Sequence, residues 1–191
     1  ACRDAGNADD GLPGHAVRVH FFHARRKQQV AAGVQQALDR FGAIDACCHI
    51  AGGFRMGESV HETSAATWDF LMDLNARTLI NVASAVVPAM IQRGRGRIVT
   101  IVSDAGRVGE ARLSIYAAAK AGAAGFMRSL AREAGRYGIT ANCVSLSTLE
   151  PALDEPAKSQ FLASEQARTH VARYAIRRFG QPEDVTGLVL F

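Results

Sequence analysis

The chain of 191 residues is 48% apolar and 21% charged, the balance of one globular domain with a sizeable core rather than of a disordered or fibrous chain. Its formal net charge of +4 is mild, and the basic residues fall in short clusters (Arg25-Arg26-Lys27, Arg93/Arg95/Arg97, Arg177-Arg178) with no interleaved aromatic platform, which argues against a nucleic-acid surface. No apolar run has the length of a bilayer span and no charged-then-apolar leader opens the chain, so no membrane partner is expected.

Residues 1–15 are polar and rich in glycine and aspartate, and read as an irregular start. The opening Ala1 in place of Met is expected of a fragment or a processed product. AVRVHFF (16–22) predicts a β-strand. From 26 to 41 apolar residues recur at Val30, Val34, Leu38 and Phe41, a helical spacing that Gly42 ends. IDACCHIAGG (44–53) reads as a fully buried parallel strand running into a tight turn. Cys47 and Cys48 in it are expected to be core thiols; with Cys2 and Cys143 they show neither CxxC nor metal spacing, which suits a reducing, cytoplasmic setting.

A long helical pattern covers 66–92, with Pro88 expected to bend it. GRIVTIVS (96–103) is the next buried strand, a helix follows over about 114–136 with Gly138 as its stop, and ITANCVS (139–145) is another strand. Residues 146–157 are irregular, one helix is expected over about 158–175, and QPEDVTGLVLF begins a last helix. Strands with near-continuous apolar runs, alternating with helices, predict a parallel sheet. Such sheets bind ligands at the carboxyl ends of their strands, here just after residues 50, 103 and 145.

SIYAAAKAG (114–122) sets one phenol and one ammonium four residues apart in a chain with three tyrosines and three lysines. On a helix Tyr116 and Lys120 share a face. They are either a surface pair on an alanine-rich helix or parts of one site. Ser103 ends a strand thirteen residues earlier, and a turn back to the helix start would bring its hydroxyl to the same cleft. Asn75 sits in the long helix, where asparagine is a poor former; it is either a helix-bending core residue or a polar group facing the sheet. Other motifs read as structure. His20 and His23 do not share a strand face, His61-Glu62 lacks a second histidine, and Arg93-Gly94-Arg95-Gly96-Arg97 is a solvated turn. Gly122 and Gly125 are expected to permit close helix packing, either within the chain or against a second subunit.

The order Asn75, Ser103, Tyr116, Lys120, within YAAAK and GRIVTIVSDAG, resembles the short-chain dehydrogenase/reductase family. FGAIDACCHIAGG is similar to that family's strand-and-turn segment ending in Asn-Asn-Ala-Gly, and RYGITANCVS and RRFGQPEDV match its later segments in order. The likeness runs from about residue 16 to residue 191. It implies a Rossmann-like, doubly wound parallel sheet with helices on both faces, forming a single domain over 1–191 that lacks the first strand–helix–strand unit and the C-terminal end. It also implies hydride transfer between NAD or NADP and a small-molecule carbonyl or alcohol. In that scheme Tyr116 gives the proton, Ser103 holds the substrate oxygen, Lys120 acts on the phenol and binds the nicotinamide ribose, and Asn75 anchors a water. Ala51, Gly52, Tyr116 and Lys120 would meet the cofactor. The spelling is nearest to 3-oxoacyl thioester reductases, and in the family the Tyr–Lys helix commonly packs against its copy, which implies a homo-oligomer.

The chemistry behind those roles is elementary. A hydride arriving at a carbonyl carbon leaves an alkoxide that needs a proton. A free phenol, with a pKa of about 10, gives it reluctantly at neutral pH, and a nearby cation favours the phenolate. A drop of about three units corresponds to roughly 4 kcal/mol. The cofactor cradle, by contrast, departs from the family. Nothing like G-x-x-x-G-x-G occurs; Gly11 and Gly14 form only G-x-x-G before a strand. His23 stands in place of the usual aspartate, His49-Ile50 in place of two asparagines, Leu146-Ser147 in place of Pro-Gly, and Pro151 in place of a threonine. The phosphate turn matters because its backbone N–H groups hold the pyrophosphate. Two functions therefore compete: an NAD(P)-dependent oxidoreductase, and a non-catalytic fragment or pseudoenzyme that serves as a scaffold.

Overall fold

The computed structural model describes residues 24–55 and 58–190, so the expected irregular start, the strand over 16–22, Cys2, Gly11, Gly14, His20 and His23 lie outside the described residues. Three parallel strands, β1 (Ala46–His49), β2 (Gly96–Ser103) and β3 (Ile139–Leu146), form a sheet in the order β1-β2-β3. Cys48 is paired with Val99, and Ser103 with Leu146. Before β1 comes helix α1 (Lys27–Phe41), closed by Gly42 at φ 73°, a left-handed conformation that glycine adopts without a side-chain clash.

Between β1 and β2 a continuous helical run is made of α2 (Ala65–Met72), a π-turn (Asp73–Arg77) and α3 (Thr78–Arg93). The sequence predicts a bend at Pro88; the break in α-helical hydrogen bonding falls instead at the π-turn, and Pro88 lies inside α3. This run is 29 residues long and apolar enough to cross a bilayer by length and composition, contrary to the expectation that nothing in the chain is. Its apolar side is spent on the core: Leu79, Ala83, Val86 and Met90 are buried against Val30 and Val34 of α1 and Ile98 and Val102 of β2. A stripe that packs against a sheet and another helix is the pattern of a core helix.

After β2 a short helix α4 (Ala105–Val108) leads to α5 (Ser114–Ala134), a single 3₁₀ turn and Gly138 at φ 71°. Met127, Leu130 and Ala134 of α5 join the same core with Ile139 and Ala141 of β3. Side chains alternate across a strand, so Val99, Ile101, Val144 and Leu146 point away from that core, and they are only half-buried. β1 is an edge of the described sheet. It is therefore not buried throughout as predicted: His49 and Cys47 turn inward, while Ala46 and Cys48 are exposed. The expectation of two core thiols holds for Cys47 alone, whose burial pushes its pKa up to about 12.

The glycines also redistribute. Among the described residues a Cβ on Gly122 would meet nothing within 4 Å and one on Gly125 only the tip of Arg128, so neither packs closely there. The close approach is at Gly106 of α4, where a Cβ would stand 2.8 Å from the backbone nitrogen of Ala121. Asp45 pairs with Arg93 and Arg95 at the base of the sheet, which accounts for part of the basic turn.

Where one helix is expected over 158–175 there are two, α6 (Ala157–Ala163) and α7 (Glu165–Val171), because the Ser164 hydroxyl leaves the first helix and caps the second by accepting from the Ala167 N–H. Tyr174, His170, Thr148 and Ser147 form a hydrogen-bonded cluster that ties this segment to the end of β3. The last helix, α8 (Glu183–Leu190), is tied at its first turn to Arg178 through Asp184.

Candidate active site

The carboxyl ends of β1 and β2, the π-turn and the start of α5 meet at one place. Asn75 occupies the centre of the π-turn and is 2% exposed. Its carboxamide brackets Gly53, accepting from the Gly53 N–H at 3.1 Å and donating to the Gly53 carbonyl at 2.9 Å, while a second N–H reaches the Leu71 carbonyl at 3.0 Å. A side-chain amide thus takes the place of a neighbouring strand for the loop that leaves β1. The wider π-turn is where such an amide can sit without forfeiting helix bonds on both sides, and π-turns recur at functional positions.

Lys120 lies one turn along α5 and is 6% exposed. Its ammonium donates to the Ile101 carbonyl at 3.0 Å and stands 5.8 Å from the centroid of the Tyr116 ring. Burial holds its pKa below the ordinary lysine value. Gly52 joins the two halves of the site. A Cβ there would be 3.0 Å from Asn75 Oδ1 and 3.1 Å from Lys120 Nζ, so the glycine leaves room between an amide oxygen and an ammonium. Ala51 and Gly52 are both exposed at this point.

Tyr116 is half-buried, and its ring meets Phe54 edge-on with centroids 5.4 Å apart. It lines a cleft with Arg55, Arg112, Thr63 and Thr67. Ser103 lies on the other side of α5's start, in a groove shared with Lys120, and its hydroxyl accepts from the Ala105 N–H at 3.3 Å. Asn75 and Lys120 therefore converge on Gly52, Tyr116 adjoins Lys120, and Ser103 shares Lys120's groove.

Sequence reasoning passed over His49, treating it only as a departure from two asparagines. It is 5% exposed, with Nδ1 3.0 Å from the Thr100 hydroxyl and Nε2 3.1 Å from that of Thr78. Burial first, then the charge of Lys120, lowers its pKa to about 4 against the weaker pull of its own carbonyl, so it is neutral. The signal was available: a histidine closing an apolar strand needs polar partners once buried. Among the described residues no buried side-chain nitrogen or oxygen is without one. No cluster of three or more metal-ligating side chains occurs among them either.

Comparison with known proteins agrees with this architecture. The family model described as enoyl-(acyl carrier protein) reductase matches residues 12–191. The (2S)-[(R)-hydroxy(phenyl)methyl]succinyl-CoA dehydrogenase subunit BbsD of Thauera aromatica is 36% identical over 181 residues, 93% of this chain and 69% of that protein. The 3-oxoacyl-[acyl-carrier-protein] reductase FabG of Thermotoga maritima is 30% identical over 182 residues, 95% of this chain and 71% of that one. A crystal structure of a gluconate 5-dehydrogenase from Burkholderia cenocepacia, in complex with NADP and tartrate, superposes with a TM-score of 0.79 at 27% identity, covering 89% of this chain and 65% of its own. The fold and site define a Rossmann-like oxidoreductase scaffold, and the chain belongs to the short-chain dehydrogenase/reductase family.

Proposed function

We propose that the chain is an NAD(P)-dependent oxidoreductase interconverting a secondary alcohol and a ketone, with Tyr116, Lys120, Ser103 and Asn75 as its working set. The observation that carries this reading is the buried Lys120 ammonium, 5.8 Å from the Tyr116 ring and poised over the gap that Gly52 leaves open. Among the described residues this poorly solvated ammonium has one acceptor, the Ile101 carbonyl, and its remaining N–H donors suit ribose hydroxyls. The residues present fit the nicotinamide end of such a cofactor: Ala51 and Gly52 offer backbone without bulk, and Lys120 offers charge. No glycine-rich phosphate turn occurs in this sequence, so the fit concerns that end alone. When bound, the nicotinamide supplies hydride exchange at the carbonyl carbon.

The side chains manage the oxygen. Ser103 donates a hydrogen bond to it, the Tyr116 phenol gives it a proton as negative charge develops, and the Lys120 cation stabilises the phenolate left behind. In the oxidative direction the phenolate takes the proton back. Asn75 holds the Gly53 backbone, and a water on its remaining acceptor capacity would connect Lys120 with solvent. The substrate we expect is an acyl thioester, because the relatives act on CoA- and carrier-protein-linked substrates by name. We place the protein in the cytoplasm as a homo-oligomer, on the strength of its free thiols, the exposed Ile80 and the open space beside Gly122.

Tyr116→Phe is expected to abolish turnover while leaving NADH or NADPH affinity within about twofold, because it removes a proton and little else. Unchanged turnover in that variant would remove the phenol from the mechanism. A second reading, a non-catalytic scaffold, is favoured by the half-covered outer face of the described sheet. Fluorescence titration separates the two: no binding of either cofactor at millimolar concentration leaves only the scaffold.

A further inference from the structure

The imidazole of His49 lies between two threonine hydroxyls, and both hydroxyls have carbonyls within reach. Thr78 Oγ1 donates to the Leu74 carbonyl at 2.8 Å, and Thr100 Oγ1 is 3.3 Å from the carbonyl of His49 itself. A neutral imidazole has one N–H and one bare nitrogen, so it must accept from one threonine and donate to the other. Two arrangements are possible, and each gives up one threonine–carbonyl bond. If Nδ1 carries the hydrogen, Thr78 must turn its proton to Nε2 and abandon the bond of 2.8 Å. If Nε2 carries it, Thr100 gives its proton to Nδ1 and abandons the contact of 3.3 Å. The shorter bond is the one worth keeping.

We propose that His49 is a positioning residue: its imidazole, held as the Nε2–H tautomer, fixes the π-turn that presents Asn75 to Gly53. The hydrogen bonds then run one way, from the Thr100 hydroxyl on β2 to Nδ1, from Nε2–H to Thr78, and from Thr78 to the Leu74 carbonyl inside the π-turn. Leu74 is the fulcrum. Its carbonyl is held by Thr78, its side chain lies where a Cβ on Gly53 would collide, and the next residue is the amide that grips both backbone groups of Gly53. A single imidazole thus ties strand β2 to the turn that sets Asn75 beside Lys120. Among the described residues the charged group acting on the ring is Lys120 of α5, and Cys47 and Cys48 are its titratable strand neighbours. Only ground-state geometry is at stake, so this role of His49 stands or falls apart from the catalytic reading.

Two measurements on the full chain test it. Long-range ¹H–¹⁵N spectra of the histidine rings, assigned against His49→Gln, are expected to show the Nε2–H tautomer unchanged from pH 8 down to about pH 5, since the folded pKa is about 4. An Nδ1–H ring, or one that titrates as a free histidine does, overturns the proposal. In His49→Leu the Gly53 amide should exchange roughly tenfold faster or more, while amides at the centre of β2 and β3 keep their rates. His49→Gln, whose amide can accept from Thr100 and donate to Thr78, should restore the protection. Unchanged Gly53 exchange in His49→Leu also overturns it, and if that variant fails to fold, the tautomer measurement on the unaltered chain decides.

Discussion

Lys120 shows how a single side chain is placed at the expense of its own solvation. Its ammonium is buried with one carbonyl acceptor, and burial lowers its pKa. A group that the fold strains to keep charged is more useful to a ligand than to stability. Lys120→Met should therefore hold or raise the urea midpoint at pH 7 while cofactor affinity falls by roughly a hundredfold, the loss of two or so charge-assisted hydrogen bonds. A variant that binds as tightly as the parent would show that the ammonium faces no cofactor. His49 gives the complementary pH signature. Its folded pKa of about 4 lies below the ordinary 6.5. The unfolded chain therefore takes up a proton that the folded one refuses, and stability that is full above pH 6.5 drains away as pH falls toward 4. The difference corresponds to about 3 kcal/mol. Urea midpoints at pH 7 and 4.5 should separate widely in the parent and less so in His49→Gln; equal separations would place the titration elsewhere. Tyr116, Lys120, Ser103 and Asn75 could be singled out in the sequence because a phenol and an ammonium on one helix face, a strand-end serine and a misplaced helical asparagine follow one another in the order that carries the family resemblance. For His49 the need for polar partners was legible but their identity was not, because Thr78 and Thr100 lie 29 and 51 positions away.

At the scale of elements, strands β2 and β3 and helices α1 and α5 were legible to within two residues, because the helices carry an apolar period and a glycine stop and the strands are short runs rich in apolar and β-branched residues. The π-turn was not. Hydrophobic spacing cannot distinguish one extra residue in a helix from a change of the face it buries, and each added residue rotates the remainder of the helix by about 100°. Leu71 before the turn faces the Tyr116 cleft while Leu79 and Val86 after it face the core. The junction of α4 and α5 is equally tight. Gly106→Ala would drive a methyl against the Ala121 backbone nitrogen, and should destabilise the fold by about 1–3 kcal/mol. Gly122→Ala, which meets open space, should stabilise it slightly through helix propensity. Denaturant midpoints of the two variants shifting in the same direction would contradict this division.

For the whole molecule, the parallel pairing of the strands followed from their alternation with helices. What composition could not reveal is that the described residues cover one face of the sheet far better than the other. That asymmetry has a direct chemical test. Cys47, half-buried and with its thiol pushed up to about 12, should resist iodoacetamide, while Cys48 on the outward pleat and Cys143 should be alkylated in the folded chain. Protection of Cys48 in native conditions would mean that something lies over that face. The parallel register carries one more consequence, for the order of assembly. With no hairpin anywhere in the described sheet, β1 meets β2, its neighbour there, only when the chain returns about fifty residues later, and the His49–Thr100 link spans 51 positions. Zippering from a local turn is closed to such a topology, so the chain must reach its native pairing by the slower route of long-range collision, helices first and strands last.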